Sequence, residues 1–121
     1  MKKIVVFGAS GDTGQYFIKY FLEHYKDEEY QIVATGTRET DYFDQLNIPY
    51  YRVDITNKNE FSKLPNDVYA VVDLAGAMPA RMKGYNPYKY IDVNIIGNLN
   101  ILEYCRKNNV DRYFVAQSLV I

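Results

Sequence analysis

Apolar residues along the chain alternate between short continuous runs and helical spacing. Ile4-Val5-Val6-Phe7 is β-branched and aromatic without interruption, the pattern of a strand buried on both faces. It stops at Gly8. Over residues 12–26 the period changes. Phe17, Phe21 and Tyr25 fall at i, i+4 and i+8 with Ile18 and Leu22 beside them, which predicts a helix. Residues 31–34 predict a second strand, stopped by Gly36. Residues 39–46 predict a short helix ended by the Asn47–Pro49 region. A third strand follows over 49–53, a short helix over 57–64, and a break at Pro65-Asn66. Residues 68–74 predict a fourth buried strand, ended by Ala75-Gly76, and 77–86 a loop. Pro87 suits the first turn of a long helix reaching Asn108. Residues 113–116 predict the fifth strand.

Helix-linked apolar strands with short connections argue for a parallel sheet covered on both faces. Right-handed crossovers then favour a doubly wound α/β fold with strand order 3-2-1-4-5. No internal repeat, low-complexity tract or linker interrupts it. The length of 121 residues suits one domain spanning residues 1–121.

Composition narrows the function. The chain is 48% hydrophobic and 24% charged, as expected of a packed globular domain. Its net charge is -1 and its Lys and Arg residues do not cluster, so a nucleic-acid surface is not expected. No apolar stretch approaches the ~20 residues of a membrane span. The four-residue apolar run after Lys2-Lys3 is too short for a signal peptide. The single cysteine, Cys105, forbids an internal disulfide and fits a reducing compartment, so a cytoplasmic chain is expected.

The chemistry is concentrated at Gly8-Ala9-Ser10-Gly11-Asp12-Thr13-Gly14, which leaves a strand and opens a helix. In that context the chain turns at Gly8, a phosphate approaches the backbone at Gly11, and Gly14 lets the helix pack close. The free N–H groups of the helix start face the pyrophosphate. The plain alternative is a tight turn without a ligand.

The spacing is G-x-x-G-x-x-G, and with the residues that follow it resembles the short-chain dehydrogenase/reductase family of the extended, epimerase/dehydratase kind. Val53-Asp54-Ile55 resembles that family's acidic segment after the third strand, which implies that the Asp54 carboxylate accepts from an adenine amino group, with Ile55 beside it. Asp73-Leu74-Ala75-Gly76 resembles the segment that passes under the cofactor, placing Leu74, Ala75 and Gly76 against it. Asn86-Pro87 through Tyr90, Asn94 and Gly97 resemble the fourth-helix pattern, Asn94 matching its asparagine, and residues 110–115 resemble its fifth strand. Ser118 falls at the catalytic Ser/Thr, although Ala116-Gln117 stand where serines are common. The resemblance implies a Rossmann-like fold, truncated after strand five, that covers less than half of a typical member. A nucleotide sugar or similar alcohol is the implied substrate, Tyr, Lys and Ser the implied catalytic trio, and the substrate-binding region is absent. The one Tyr-x-x-x-Lys spacing, Tyr85 and Lys89, is interrupted by Pro87 and is not a catalytic pair.

Cofactor choice turns on the second strand. NAD-preferring folds place an acid about 20 residues after the glycines. Here Gly36 falls there, followed by Thr37 and Arg38, and Arg38 suits a 2′-phosphate. This favours NADP over NAD, with a solvated arginine as the alternative. No His/Cys/Asp/Glu cluster has metal-ligand spacing. His24 reads as a surface residue, Cys105 as packing, and Ser118 has no His base for a hydrolase triad. A non-enzymatic dinucleotide-binding module remains a second reading. The fifth-strand edge and the apolar stripe Ile91, Ile95, Leu99 and Leu102 predict a homodimer.

Overall fold

A computed structural model describes residues 1–25, 29–76 and 86–116. Five strands, β1 (Lys2–Phe7), β2 (Tyr30–Gly36), β3 (Tyr50–Arg52), β4 (Ala70–Asp73) and β5 (Tyr113–Val115), form one sheet in the order β3-β2-β1-β4-β5. Every pairing is parallel, with Ile4 opposite Ile32, Val5 opposite Val71, Thr35 opposite Tyr51 and Val72 opposite Phe114. The order expected from the sequence is therefore the observed one.

The uninterrupted run at β1 has its explanation in two cores. Val5 and Phe7 point into one, with Val33, Val71, Phe61, Ile101 and Tyr104. Ile4 and Val6 point into the other, with Ile18, Ile32, Ala34 and Phe43. Alternate side chains of a central strand thus bury on opposite faces, and no polar position survives. Phe7 anchors its side through Phe61, 5.8 Å away, and an edge-on contact with Tyr104 at 6.2 Å.

Helix α1 (Asp12–His24) covers the second core through Gly14 and Ile18, with Phe17 and Phe21 flanking them. The expected span of 12–26 is shortened at its end, where Tyr25 leaves helical geometry and its N–H bonds the Phe21 carbonyl.

The two short helices are corrected. Over 39–46 only Asp44–Leu46 forms a 3₁₀ turn. The Thr40 hydroxyl accepts from the Tyr42 N–H, an alternative to the helix ladder, and the Phe43 carbonyl accepts from both Leu46 and Ile48. Buried Phe43 pins this compact turn. Over 57–64 the chain is 3₁₀ at Lys58–Lys63, capped by the Asn57 side chain and ended by extended Leu64, the conformation that Pro65 favours in its predecessor.

The long helix is also corrected. It forms α2 (Pro87–Ile91), a π-helical stretch (Asp92–Gly97) and α3 (Asn98–Lys107). Such stretches are rare and collect at functional sites. Here the Asn98 side chain donates 2.7 Å to the Asn94 carbonyl, inside the stretch. Gly97 lies against Ile55, whose Cδ1 would be 2.5 Å from a Cβ at that position. Among the described residues, no helix is long and apolar enough to cross a membrane.

Candidate functional site

Two crossovers leave β1 and β4, neighbours at which the strand order reverses, and their backbones meet. Gly8 has φ +77, and a Cβ there would fall 2.6 Å from the Ala75 N and 2.7 Å from the Leu74 carbonyl carbon. Only glycine fits both the conformation and the space. The Ala9 N–H bonds the Thr35 carbonyl at 2.9 Å and the Leu74 N–H bonds the Phe7 carbonyl at 2.9 Å, fixing the turn to β2 and β4. Gly14 touches the same turn, since its Cβ would come within 2.6 Å of Ala9 Cα.

Gly11 differs from both. Its φ is -78, and a Cβ there would meet only the Gly8 oxygen, at 3.6 Å. The fold's own packing therefore does not require glycine at 11. Gly11 is also the N-cap of α1, and no side chain caps that end. The N–H groups of Asp12, Thr13 and Gly14 are the orphan donors of the first turn. Ser10 is buried, its carbonyl held by the Gln15 side chain at 3.0 Å.

The rim continues at the end of β2. A Cβ on Gly36 would collide with Ser10 Oγ and lie 2.8 Å from the Tyr50 hydroxyl. Thr37 and Arg38 beyond it are exposed. The Tyr50 hydroxyl donates to the Arg38 carbonyl, and Arg52 donates from Nε and Nη2 to the Thr37 carbonyl at 3.2 and 3.1 Å. Beyond β3, the Asp54 carboxylate accepts from the Thr56 N–H at 3.0 Å and its hydroxyl at 2.7 Å. Asp54 lines a groove of about 320 Å³ with Thr56, Asn86, Tyr88, Lys89, Asp92 and Val93. Ile55 is buried, and its carbonyl accepts from the Asn100 side chain at 2.8 Å.

On the β4 side, Asn94 faces the segment after the strand. Its Oδ1 would be 3.4 Å from a Cβ on Gly76. Asp73 is fully buried, and its carboxylate accepts from the Ala75 N–H at 3.1 Å and the Tyr113 hydroxyl at 3.0 Å. Burial raises its pKa above the usual carboxylate range, against the opposing pull of those two donors. Burial likewise pushes the Cys105 thiol up to about 11, with the Asp73 charge adding to it.

The structure thus brings Gly8, Ser10, Gly11, Asp12, Thr13, Gly14, Leu74, Ala75, Gly76 and Asn94 to one neighbourhood, with Thr37, Arg38, Asp54 and Ile55 at the ends of the adjoining strands. Ser118 and Tyr85 lie outside the described residues. No three His, Cys, Asp or Glu side chains among the described residues are grouped to hold a metal. Sequence reasoning did not single out Arg52, whose place opposite Gly36 depends on the β2–β3 register, or the burial of the Asp73 carboxylate at the head of the segment after β4.

A parallel doubly wound sheet, with a glycine turn under an uncapped helix start at its switch point, has the architecture of dinucleotide-binding folds. This chain belongs to the NAD dependent epimerase/dehydratase family, whose model matches residues 4–120. It is 29% identical over 117 residues to a UDP-N-acetylglucosamine 4,6-dehydratase (inverting) of Campylobacter jejuni subsp. jejuni serotype O:2, covering 92% of this chain and 34% of the relative. It is 30% identical over 125 residues to Protein CapI of Staphylococcus aureus, covering 96% of this chain and 37% of that one. Among solved structures, an L-threonine dehydrogenase from Clostridium difficile shares the fold with a TM-score of 0.79 at 24% identity, over 98% of this chain and 37% of its own. The chain thus spans about a third of the length of these relatives.

Proposed function

We propose that residues 1–121 form the NAD(P)-binding part of an epimerase/dehydratase-type oxidoreductase acting on a nucleotide sugar or similar alcohol. The observation that carries this reading is the pairing of Gly8 with Ala75 beneath the uncapped start of α1. The open side of Gly11 gives a pyrophosphate room to reach the backbone, and the N–H groups of Asp12, Thr13 and Gly14 supply donors and the positive helix end. Asp54 and Ile55 would hold the adenine, while Leu74, Ala75, Gly76 and Asn94 would line the path beyond the pyrophosphate. A dinucleotide held by these residues would supply hydride-transfer chemistry at an alcohol carbon. NADP is preferred, because Gly36 leaves the acid position empty and Arg38 stands beside it.

Turnover needs more than these residues. The Tyr-x-x-x-Lys spacing at Tyr85 and Lys89 has Pro87 between its members and does not offer the acid/base pair that the family resemblance implies beside Ser118. Purified residues 1–121 are expected to bind NADP and to show no epimerase or dehydratase turnover. Calorimetry with NADP and NAD tests the reading. Arg38→Ala should erase the preference, and tighter binding of NAD than NADP would refute it. A second reading, a stand-alone dinucleotide-binding module, is favoured by the two cores closing over β1 within this chain. Robust turnover of a nucleotide sugar by these residues would exclude it.

A further inference from the structure

We propose that Arg52 is a second anchor for the 2′-phosphate of NADP, acting beside Arg38, and so a determinant of cofactor choice. This rests on the dinucleotide reading above and extends it to a residue on another strand. In the β2–β3 ladder Arg52 is the registered partner of Gly36. Registered residues of parallel strands project to the same face. The position from which an acid would exclude a 2′-phosphate thus carries no side chain, and its neighbour across the ladder carries a guanidinium.

The guanidinium is also held in place. Nε and Nη2 grip the Thr37 carbonyl at 3.2 and 3.1 Å, leaving three of five N–H donors for another acceptor. Tyr50, two residues earlier on the same strand, ties down the Arg38 carbonyl, so β3 braces both residues of the turn. Charge pairing separates these two arginines from others. Arg106 pairs with Glu103 at 2.9 Å and Arg112 with Asp111 at 3.0 Å. Arg38 and Arg52 have no carboxylate partner among the described residues, although Glu39 and Asp54 are close in sequence. Glu60 pairs with Lys63 at 3.1 Å, and Lys63 also donates to the Arg52 carbonyl at 3.0 Å. Two unpaired guanidinium groups at one corner of the rim suit a dianion, which guanidinium geometry matches in forked fashion.

The test compares adenosine 2′,5′-bisphosphate with adenosine 5′-monophosphate on the full 121-residue chain by calorimetry. Arg52→Gln should weaken bisphosphate binding at least about tenfold, as expected for losing a charge-assisted hydrogen bond, and leave the monophosphate within about twofold. Equal weakening of both ligands would mean that Arg52 only braces Thr37, and would overturn the proposal. A wild-type chain that prefers the bisphosphate, loses that preference in Arg38→Gln and keeps it in Arg52→Gln would overturn the role of Arg52 while leaving the NADP reading intact. A wild-type chain without any preference would overturn both. Should Arg52→Gln fail to fold, the Nε–H resonance of Arg52 in the unaltered chain, assigned through Arg52→Lys, should shift with the bisphosphate and not with the monophosphate. Its failure to shift would refute the proposal.

Discussion

The Tyr113 hydroxyl on β5 donates a 3.0 Å hydrogen bond to Oδ2 of Asp73 on β4, and Oδ1 of that carboxylate accepts from the Ala75 N–H. A fully buried carboxyl group thus joins the edge strand to the segment that abuts Gly8. Tyr113→Phe leaves that group with one partner fewer and should cost about 1–3 kcal/mol. The pH dependence has a definite sign. Burial raises the Asp73 pKa in the folded state, so that state binds more protons than the unfolded one between the two pKa values. Its contribution to stability therefore grows as pH falls through the folded value and is lost as pH rises. Asp73→Asn removes this titration, and wild type should gain on the variant as pH falls from the raised folded-state value toward the ordinary carboxylate range in denaturant melts. A constant difference would show that Asp73 does not titrate in that range.

Gly11 and Gly14 should behave oppositely. Gly14→Val places side-chain atoms into the Gly8–Ala9 backbone and should unfold the chain. Gly11→Val meets only one atom at 3.6 Å and should cost about 1 kcal/mol or less, a helix-cap effect. It should nevertheless abolish dinucleotide binding, since it fills the approach to the backbone. Thermal melts and calorimetry on both variants separate the two roles, and undiminished affinity in Gly11→Val would remove the phosphate loop from the proposed site.

Cys105 is 5% exposed and its thiol is pushed up to about 11, so at neutral pH it is neither accessible nor ionised. Labelling by a thiol reagent should follow the unfolding transition, with little reaction in buffer. Fast native-state labelling would mean that α3 opens locally.

The stripe Ile91, Ile95, Leu99 and Leu102 is exposed, with Ile95 at 60% and Leu99 at 54%, while Ile101, Tyr104 and Cys105 on the other side are buried. Phe114 on β5 is 61% exposed. Apolar area of this kind marks a contact surface, and a homodimer through α3 or the β5 edge is expected. Light scattering over a concentration series should show a dimer that Ile95→Lys with Leu99→Lys dissociates. A monomer at high micromolar concentration would reject it.

Strand order was legible in the sequence because β1 is buried on both faces, so Ile4 to Phe7 carry no polar residue. The glycine turn was legible because Gly8 needs both a left-handed backbone and the space beside Ala75. The 39–46 segment was not legible as a turn. Its course depends on the Thr40 hydroxyl competing with the helix ladder and on Phe43 reaching a core built by distant residues. The π-helical stretch was hidden for a similar reason, since the Asn98 side-chain bond and the fit of Gly97 on Ile55 are tertiary. Arg52 gave no local sign, because its place opposite Gly36 exists only once β2 and β3 pair.

Gly36 bears on how a chain with the proposed NADP preference could change cofactor by descent. An acid at that position would bring its Cβ against Ser10 Oγ and the Tyr50 hydroxyl, so both side chains must shift to admit it. Shrinking Tyr50 would free the Arg38 carbonyl and remove a ring stacked on Phe43 with centroids 5.0 Å apart. The second change thus disturbs the core that the first needs intact. A lineage making the switch must therefore also move the Ser10 and Tyr50 side chains, so the route to another cofactor runs through the packing around Gly36.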